Sequence, residues 1–215
     1  MARRAPKLDK KQVVDAALRL LNEVGLEGLT LRAIARDLEV QAPALYWHFE
    51  GKQELLDEMA TEMYRRMTAG PDLASGAGWQ ERLAAGNRAL RAALLGYRDG
   101  AKVFSGSRFT GTEHAIQLEA SLGMLVEAGF TLPQAVRATS TAYFFTLGFV
   151  TEEQGVEPLP GDRREGYDVD ERAARMAAFP LAAAAGPDLF QNYDEGFEEG
   201  LALVIAGIEA RYRVG

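Results

Sequence analysis

Two side chains near the start of the sequence suit the edges of base pairs. Arg32 can fork onto a guanine edge or a phosphate, and Gln41 can pair its amide with adenine. Ala42, Pro43 and Ala44, which follow Gln41, offer only apolar contact of the kind a thymine methyl accepts. Catalysis is poorly provided for. His48 and His114 are the only histidines, and Glu119, Glu152 and Glu153 show no spacing that makes a metal pair, a Ser-His-Asp set or a phosphate loop. With no cysteine, disulfides, thiolate metal sites and thiol redox sensing are excluded together.

The elements that hold Arg32 and Gln41 are legible in residues 8–52. Asp9 can cap the amide near Gln12, Gln12 can reach back, and Leu8 can staple onto Val13. Apolar residues recur at Val13, Ala16, Ala17, Leu20 and Val24, until Gly25 permits the positive φ that ends a helix. Thr30 is placed to cap a second short helix carrying Leu31, Ile34, Ala35 and Leu38. Pro43 fits the first turn of a third, around residues 41–48, with Leu45, Tyr46 and Phe49. Each is too short to persist alone in water, so the three are expected to share one small core. Three short helices joined by tight turns form a unit that commonly reads DNA.

Charge is divided along the chain in a way that suits this reading. The formal net charge is −7, yet residues 1–52 hold nine Lys or Arg against seven Asp or Glu, and the remainder fifteen against twenty-four. Arg3, Arg4, Lys7, Lys10 and Lys11 crowd the start, which predicts either a phosphate-facing arm or a solvated tail. No apolar run approaches the roughly 20 residues that span a bilayer, and Arg3-Arg4 is not followed by a signal-peptide core. The expectation is a cytoplasmic protein with no membrane partner. At 215 residues and 47% hydrophobic, the chain can bury a sizeable core.

Beyond Gly51 the pattern is helical throughout. Leu55, Leu56, Met59, Met63 and Met67 predict a long linking helix over 53–69, followed by a Pro/Gly/Ser-containing stretch at 70–78. Trp79, Leu83, Leu90, Leu94 and Tyr97 mark the next helix, and Gly86 inside it implies either close helix approach or room for a ligand. Further helices are predicted over 112–128 and 131–154, then one over 171–185 interrupted or kinked at Pro180. In the last helix Phe190, Tyr193, Phe197, Leu201, Val204 and Ile208 form a stripe that fits either an intrachain core or a dimer interface. The fold class is all-α, divided into a DNA-binding head over 1–52 and a larger helical unit over 53–215.

The segments LNEVGLEGLTLRAIARDLEV, APALYWHFEGK and LLDEMATEM resemble the DNA-binding domain of the tetracycline repressor family. GWQ at 78–80, YRDGAKV at 97–103 and FTLGFVTEEQ at 145–154 resemble the ligand-binding core of its tetracycline-binding branch. The resemblance implies a homodimeric repressor that grips a palindromic operator and releases it when a small molecule enters the larger domain. It assigns the third helix to the major groove, with the second across the backbone, and places Thr30, Tyr46, Trp47, His48 and Lys52 against phosphate or the groove wall. Tyr46 and Trp47 read equally as packing residues, and His48 as a satisfied polar neighbour. Ala42 and Ala44 stand where the family usually has polar readers, so the operator's inner bases should differ.

Tetracycline-binding relatives hold a drug-chelated magnesium ion through a histidine and a glutamate. Here Phe104 stands at the histidine position, Thr68 and Gly86 replace polar gripping residues, and Glu152 keeps the glutamate. Phenylalanine has no lone pair for a metal, so no metal or other cofactor is expected, and Glu152 reads more simply as a helix-end or surface acid. What the resemblance leaves is an apolar cavity with Leu90, Phe104, Leu118, Leu122, Val136 and Tyr143 as walls. Ser107, Arg108, Ser121, Thr139 and Ser140 are its hydrogen-bonding candidates. A largely apolar or aromatic effector follows. A magnesium-tetracycline-responsive repressor and a helical protein-interaction module remain as alternatives.

Overall fold

The computed structural model describes residues 8–70 and 76–212, and all regular structure in them is helical. Arg3, Arg4 and Lys7 of the basic arm lie outside the described residues, as does 71–75 of the stretch after the linking helix. α1 (Lys10–Gly28) starts at the capping box expected: the Asp9 carboxylate accepts from the Gln12 N–H at 2.7 Å, and the Gln12 side chain accepts from the Asp9 N–H at 3.0 Å. The helix is broken at Gly25, whose φ of 69° is open to glycine at little cost, and a short turn continues to Gly28. Val24, expected in the buried stripe, is exposed.

α2 (Leu31–Asp37) begins at Thr30, whose hydroxyl accepts from the Ala33 N–H at 3.1 Å. α3 (Ala42–Tyr46) is shorter than the 41–48 span predicted, since the His48 and Phe49 amides both return to the Leu45 carbonyl and close the helix. Leu29, Ile34, Leu45 and Phe49 are almost wholly buried beneath these helices. Lys10 and Lys11, expected either to face phosphate or to be solvated, are engaged in ion pairs. Lys10 bonds Glu54 at 3.2 Å and Glu58 at 2.8 Å across to α4 (Lys52–Thr68), and Lys11 pairs with Asp15 at 2.7 Å.

The head does not have a core of its own. One apolar cluster runs from Val13 and Ile34 through Leu55 and Met63 to Leu90, Leu94, Phe104 and Val150, so it crosses from the head into the helices beyond. Those are α5 (Trp79–Leu95), α6 (Gly100–Phe104), α7 (His114–Glu127) and α8 (Leu132–Val156). The helix expected over 112–128 starts two residues later, and α8 opens on a Thr131–Gln134 capping box.

Of the two readings of the 171–185 tract, the structure has the interruption: it forms two helices, α9 (Val169–Arg175) and α10 (Pro180–Ala184). Phe179, which precedes proline, is forced out of helical space to φ −127°, ψ 80°. After α11 (Gly186–Phe190), α12 (Tyr193–Tyr212) packs on α5 and α8. Gly200 allows that approach: a Cβ there would sit 2.5 Å from the Phe145 ring. Phe197, Leu201 and Ile208 of the terminal stripe are therefore intrachain core, while Leu203 on α12 and Phe144 on α8 stay exposed.

Candidate DNA-reading head and effector chamber

The residues of the head predicted to meet DNA stand clear of the core or at its edge. Thr30, Arg32, Gln41 and Pro43 are exposed, Ala42, Ala44 and His48 half-buried, and Tyr46 and Trp47 exposed at 55% and 88%. Such exposure rules out core packing as the role of Trp47. Lys52 is exposed too, with its ammonium donating to the Leu26 carbonyl at 2.7 Å, where α1 ends. Arg36, which sequence reasoning passed over, adds an exposed cation in the last turn of α2. Its signal was available: it lies one turn beyond Arg32 on the same short helix.

In the larger unit, α4, α5, α7 and α8 line a half-open chamber of about 460 Å³. Thr68, Gly86, Leu90 and Phe104 line it, as do Leu118 and Ser121 from α7 and Thr139, Ser140 and Tyr143 from α8. A Cβ added at Gly86 would meet nothing within 4 Å, so of the two readings of that glycine the structure favours open room over close helix contact. Burial pushes the Tyr64 and Tyr143 hydroxyls up from the ordinary tyrosine value, and both remain neutral donors at neutral pH.

Five sequence-predicted positions fall outside this lining. The Ser107 hydroxyl donates to the Val103 carbonyl at 2.6 Å, and Arg108 is held through its backbone N–H, which donates to Asp57 at 3.0 Å. Leu122 packs into the cluster around Trp79 and Phe130, Val136 lies exposed one turn before Ser140, and Glu152 is exposed near the end of α8. With Phe104 in the chamber wall and Glu152 outside the lining, a magnesium site of the family's kind does not fit these side chains.

Other lining residues were not anticipated: Tyr64, Met67, Asn87, Phe109, His114 and Gln117. Asn87 is the most constrained. It donates to the Leu83 carbonyl at 2.8 Å and accepts from the Thr146 hydroxyl at 2.7 Å, pinning α5 to α8 beside the cavity. A polar residue on the buried side of an apolar helix, next to Gly86, was the sequence signal for it.

α6 joins the chamber to the head. Phe104 at its end is chamber wall, and Asp99 at its start accepts from the Leu26 N–H of α1 at 3.0 Å and from Lys102 at 2.9 Å. Asp99 is left-handed at φ 56°, and the following Gly100 approaches the Leu94 carbonyl so closely that a Cβ would lie 2.2 Å from it. Arg98 donates from its backbone to the Asn22 side chain at 2.8 Å and from its Nε to the Asn22 carbonyl at 3.1 Å. Buried Gln154 holds the same turn from α8, accepting from the Ala101 N–H at 3.0 Å and donating to the Leu94 and Tyr97 carbonyls at 3.2 and 2.7 Å. A further clamp, Arg66 of α4, bonds Asp15 of α1, Glu62 and the Tyr97 hydroxyl.

Burial works against the Asp99 carboxylate, but the Leu26 N–H and Lys102 more than offset it, and its pKa lies below the usual value. A depressed carboxylate stabilises the fold above its unfolded pKa of about 3.9 and loses that contribution as pH falls through the lower folded value. The urea midpoint of Asp99→Asn should therefore trail the parent protein's at pH 6, with the gap closing below about pH 4. A gap independent of pH would show that the charge contributes nothing.

Residues 53–212 match the family model of the tetracyclin repressor-like C-terminal domain, and residues 13–59 that of bacterial regulatory proteins, tetR family. The class A tetracycline repressor protein from transposon 1721 of Escherichia coli is 40% identical over 95% of this chain and 92% of its own length. The class D repressor protein of Escherichia coli is 42% identical over 95% and 91%. Among solved structures, a possible TetR family transcriptional regulator from Streptomyces coelicolor A3(2) is 38% identical, with a TM-score of 0.81 over 94% of this chain and 99% of that one. TetR from Acinetobacter baumannii AYE, at 36% identity, gives 0.73 over 96% and 99%. These matches run through both the reading head and the chamber helices, and the chain belongs to the tetracycline repressor family of bacterial regulators.

Proposed function

We propose that the protein is a homodimeric transcriptional repressor that releases a palindromic operator when a small, largely apolar or aromatic molecule fills the chamber. The observation that carries this reading is α6, with Phe104 in the chamber wall at one end and Asp99 bonded to α1 of the head at the other. A ligand can shift a two-state equilibrium only through different contacts in the two states. Here occupancy moves Phe104, α6 follows as a short rigid piece, and α1 carries the reading helix out of register with its half-site. Arg32, Gln41 and the Ala42–Pro43–Ala44 surface read bases, while Thr30, Tyr46, Trp47, His48 and Lys52 meet phosphate and the groove wall. Residues 1–52 act as head and 53–215 as effector and dimerisation unit, with 53–69 linking them.

The exposed apolar side chains Phe144 and Leu203, on the two longest helices, form part of the surface shared with a second copy. Two-fold symmetry then sets half-sites about 34 Å apart or a multiple of it. The protein acts in the cytoplasm, and regulation rather than catalysis is its role. Gly86→Leu, which places an isobutyl group in the cavity, should weaken effector binding at least about tenfold while leaving operator affinity within about threefold. Equal effector binding by the variant would remove the chamber from the account.

A second reading has support in the relatives named as tetracycline repressors and in an Acinetobacter baumannii AYE TetR variant solved with minocycline. Anisotropy of a labelled operator, titrated with tetracycline in excess magnesium and again with EDTA, separates the two. We expect any effector response to survive chelation, because Phe104 cannot ligate a metal. A response that EDTA abolishes would favour the magnesium-dependent form.

A further inference from the structure

One nitrogen in the chamber wall has no partner among the described residues. His114, the first residue of α7, lines the cavity, and its Nδ1 is buried without a hydrogen bond from any described residue. Beside it stands a row of rings: Phe109 lies 5.4 Å from the imidazole, 5.3 Å from Phe104 and 4.9 Å from Tyr64, centroid to centroid. Met67 and Met124 add pliable apolar surface. Neither Asp nor Glu occurs among the described lining residues.

Each of these facts constrains a ligand. An imidazole nitrogen shut away from water loses its hydration, and a pocket that leaves it unpaired is less stable than one that supplies a partner. Whether Nδ1 donates or accepts depends on the tautomer, and a hydroxyl group satisfies either. The rings of Tyr64, Phe104 and Phe109 favour a flat aromatic body, through offset or edge contacts. A cation would enter with no carboxylate to balance it, at a large desolvation cost.

We infer that the effector is a flat, uncharged or anionic aromatic molecule bearing a phenolic hydroxyl, and that His114 is the residue that selects the hydroxyl. This rests on the chamber's proposed role as effector site and adds the chemical class. Phe109, on the 105–113 connection between α6 and α7, is the ring beside the imidazole, and a hydroxyl reaches Nδ1 by displacing it.

The test uses two fluorescent probes differing in one group, phenanthrene and 2-hydroxyphenanthrene, titrated into the full-length protein and into His114→Phe, His114→Leu and His114→Gln. The parent protein should bind the hydroxylated probe at least about tenfold more tightly, which corresponds to about 1.4 kcal/mol. That preference should vanish in His114→Phe and His114→Leu and survive in His114→Gln, whose amide still pairs with a hydroxyl. Two apolar variants are used so that misfolding of one does not decide the matter. Equal binding of both probes by the parent protein, or a preference that persists in the apolar variants, overturns the role of His114 and leaves the chamber reading standing. If neither probe binds the parent protein, the chamber reading for aromatic effectors falls, and this inference with it.

Discussion

Gln154→Ala is expected to destabilise the fold by about 3 kcal/mol and to separate effector binding from operator release. The side chain is only 1% exposed and serves three backbone groups of the turn between α5 and α6. The loss is not equal among them. The Tyr97 carbonyl keeps the Gly100 N–H at 2.9 Å and the Leu94 carbonyl keeps the Tyr97 N–H at 3.2 Å, whereas Ala101, in the first turn of α6, has no carbonyl behind it. One stranded amide costs about 1–3 kcal/mol, and the void left by the side chain adds to it. For a chain of this size the melting midpoint should drop by about 6 °C or more. Because this turn carries Asp99 to Leu26, the variant should still bind effector but respond to it with a weaker loss of DNA. Full coupling in a destabilised variant would mean that the signal travels elsewhere, for instance through Arg66 and Asp15.

Arg32→Ala should weaken operator binding by at least about tenfold per half-site while moving the melting midpoint by no more than about 2 °C. Its guanidinium is exposed on α2, and the apolar neighbours Leu31 and Ile34 form the core without it. The form of the loss identifies the contact. If Arg32 forks onto guanine, a bidentate pair worth about 1–3 kcal/mol disappears and specificity relaxes at one base position. If it meets phosphate, affinity falls for all sequences alike, and the salt dependence loses about one counterion per half-site. A large fall in thermal stability with either pattern would make the residue structural.

The head was the most legible part of the sequence because its instructions are local. Asp9, Gln12, Thr30 and Pro43 each act within one turn, and Gly25 breaks α1 where a positive φ is needed. Beyond it, local rules set helix existence but not which polar residues go inside. Arg91 pairs with Glu153 at 2.7 Å and lies over the Phe197 ring, and the three residues come from α5, α8 and α12. Periodicity cannot foresee a partner some sixty residues away, and it reads such charges as solvated.

The chamber divides on the same line. Positions on helical faces, such as Leu90, Ser121 and Tyr143, could be placed from spacing and resemblance, while Phe109 on an irregular connection could not. Val136 shows how spacing misleads: it shares the face of Ser140 and Tyr143 but lies one turn past the end of the cavity. The last helix carried a stripe compatible with two partners, and only the approach at Gly200 assigns its large residues to the chain's own core.

Selection of bound sequences from a random duplex pool, followed by titration of the winner at several salt concentrations, tests the central claim most directly. The account predicts a two-fold symmetric site, with half-sites set by the paired heads, and an affinity that falls steeply as salt rises. Enrichment of no symmetric sequence, together with binding indifferent to salt, would contradict it.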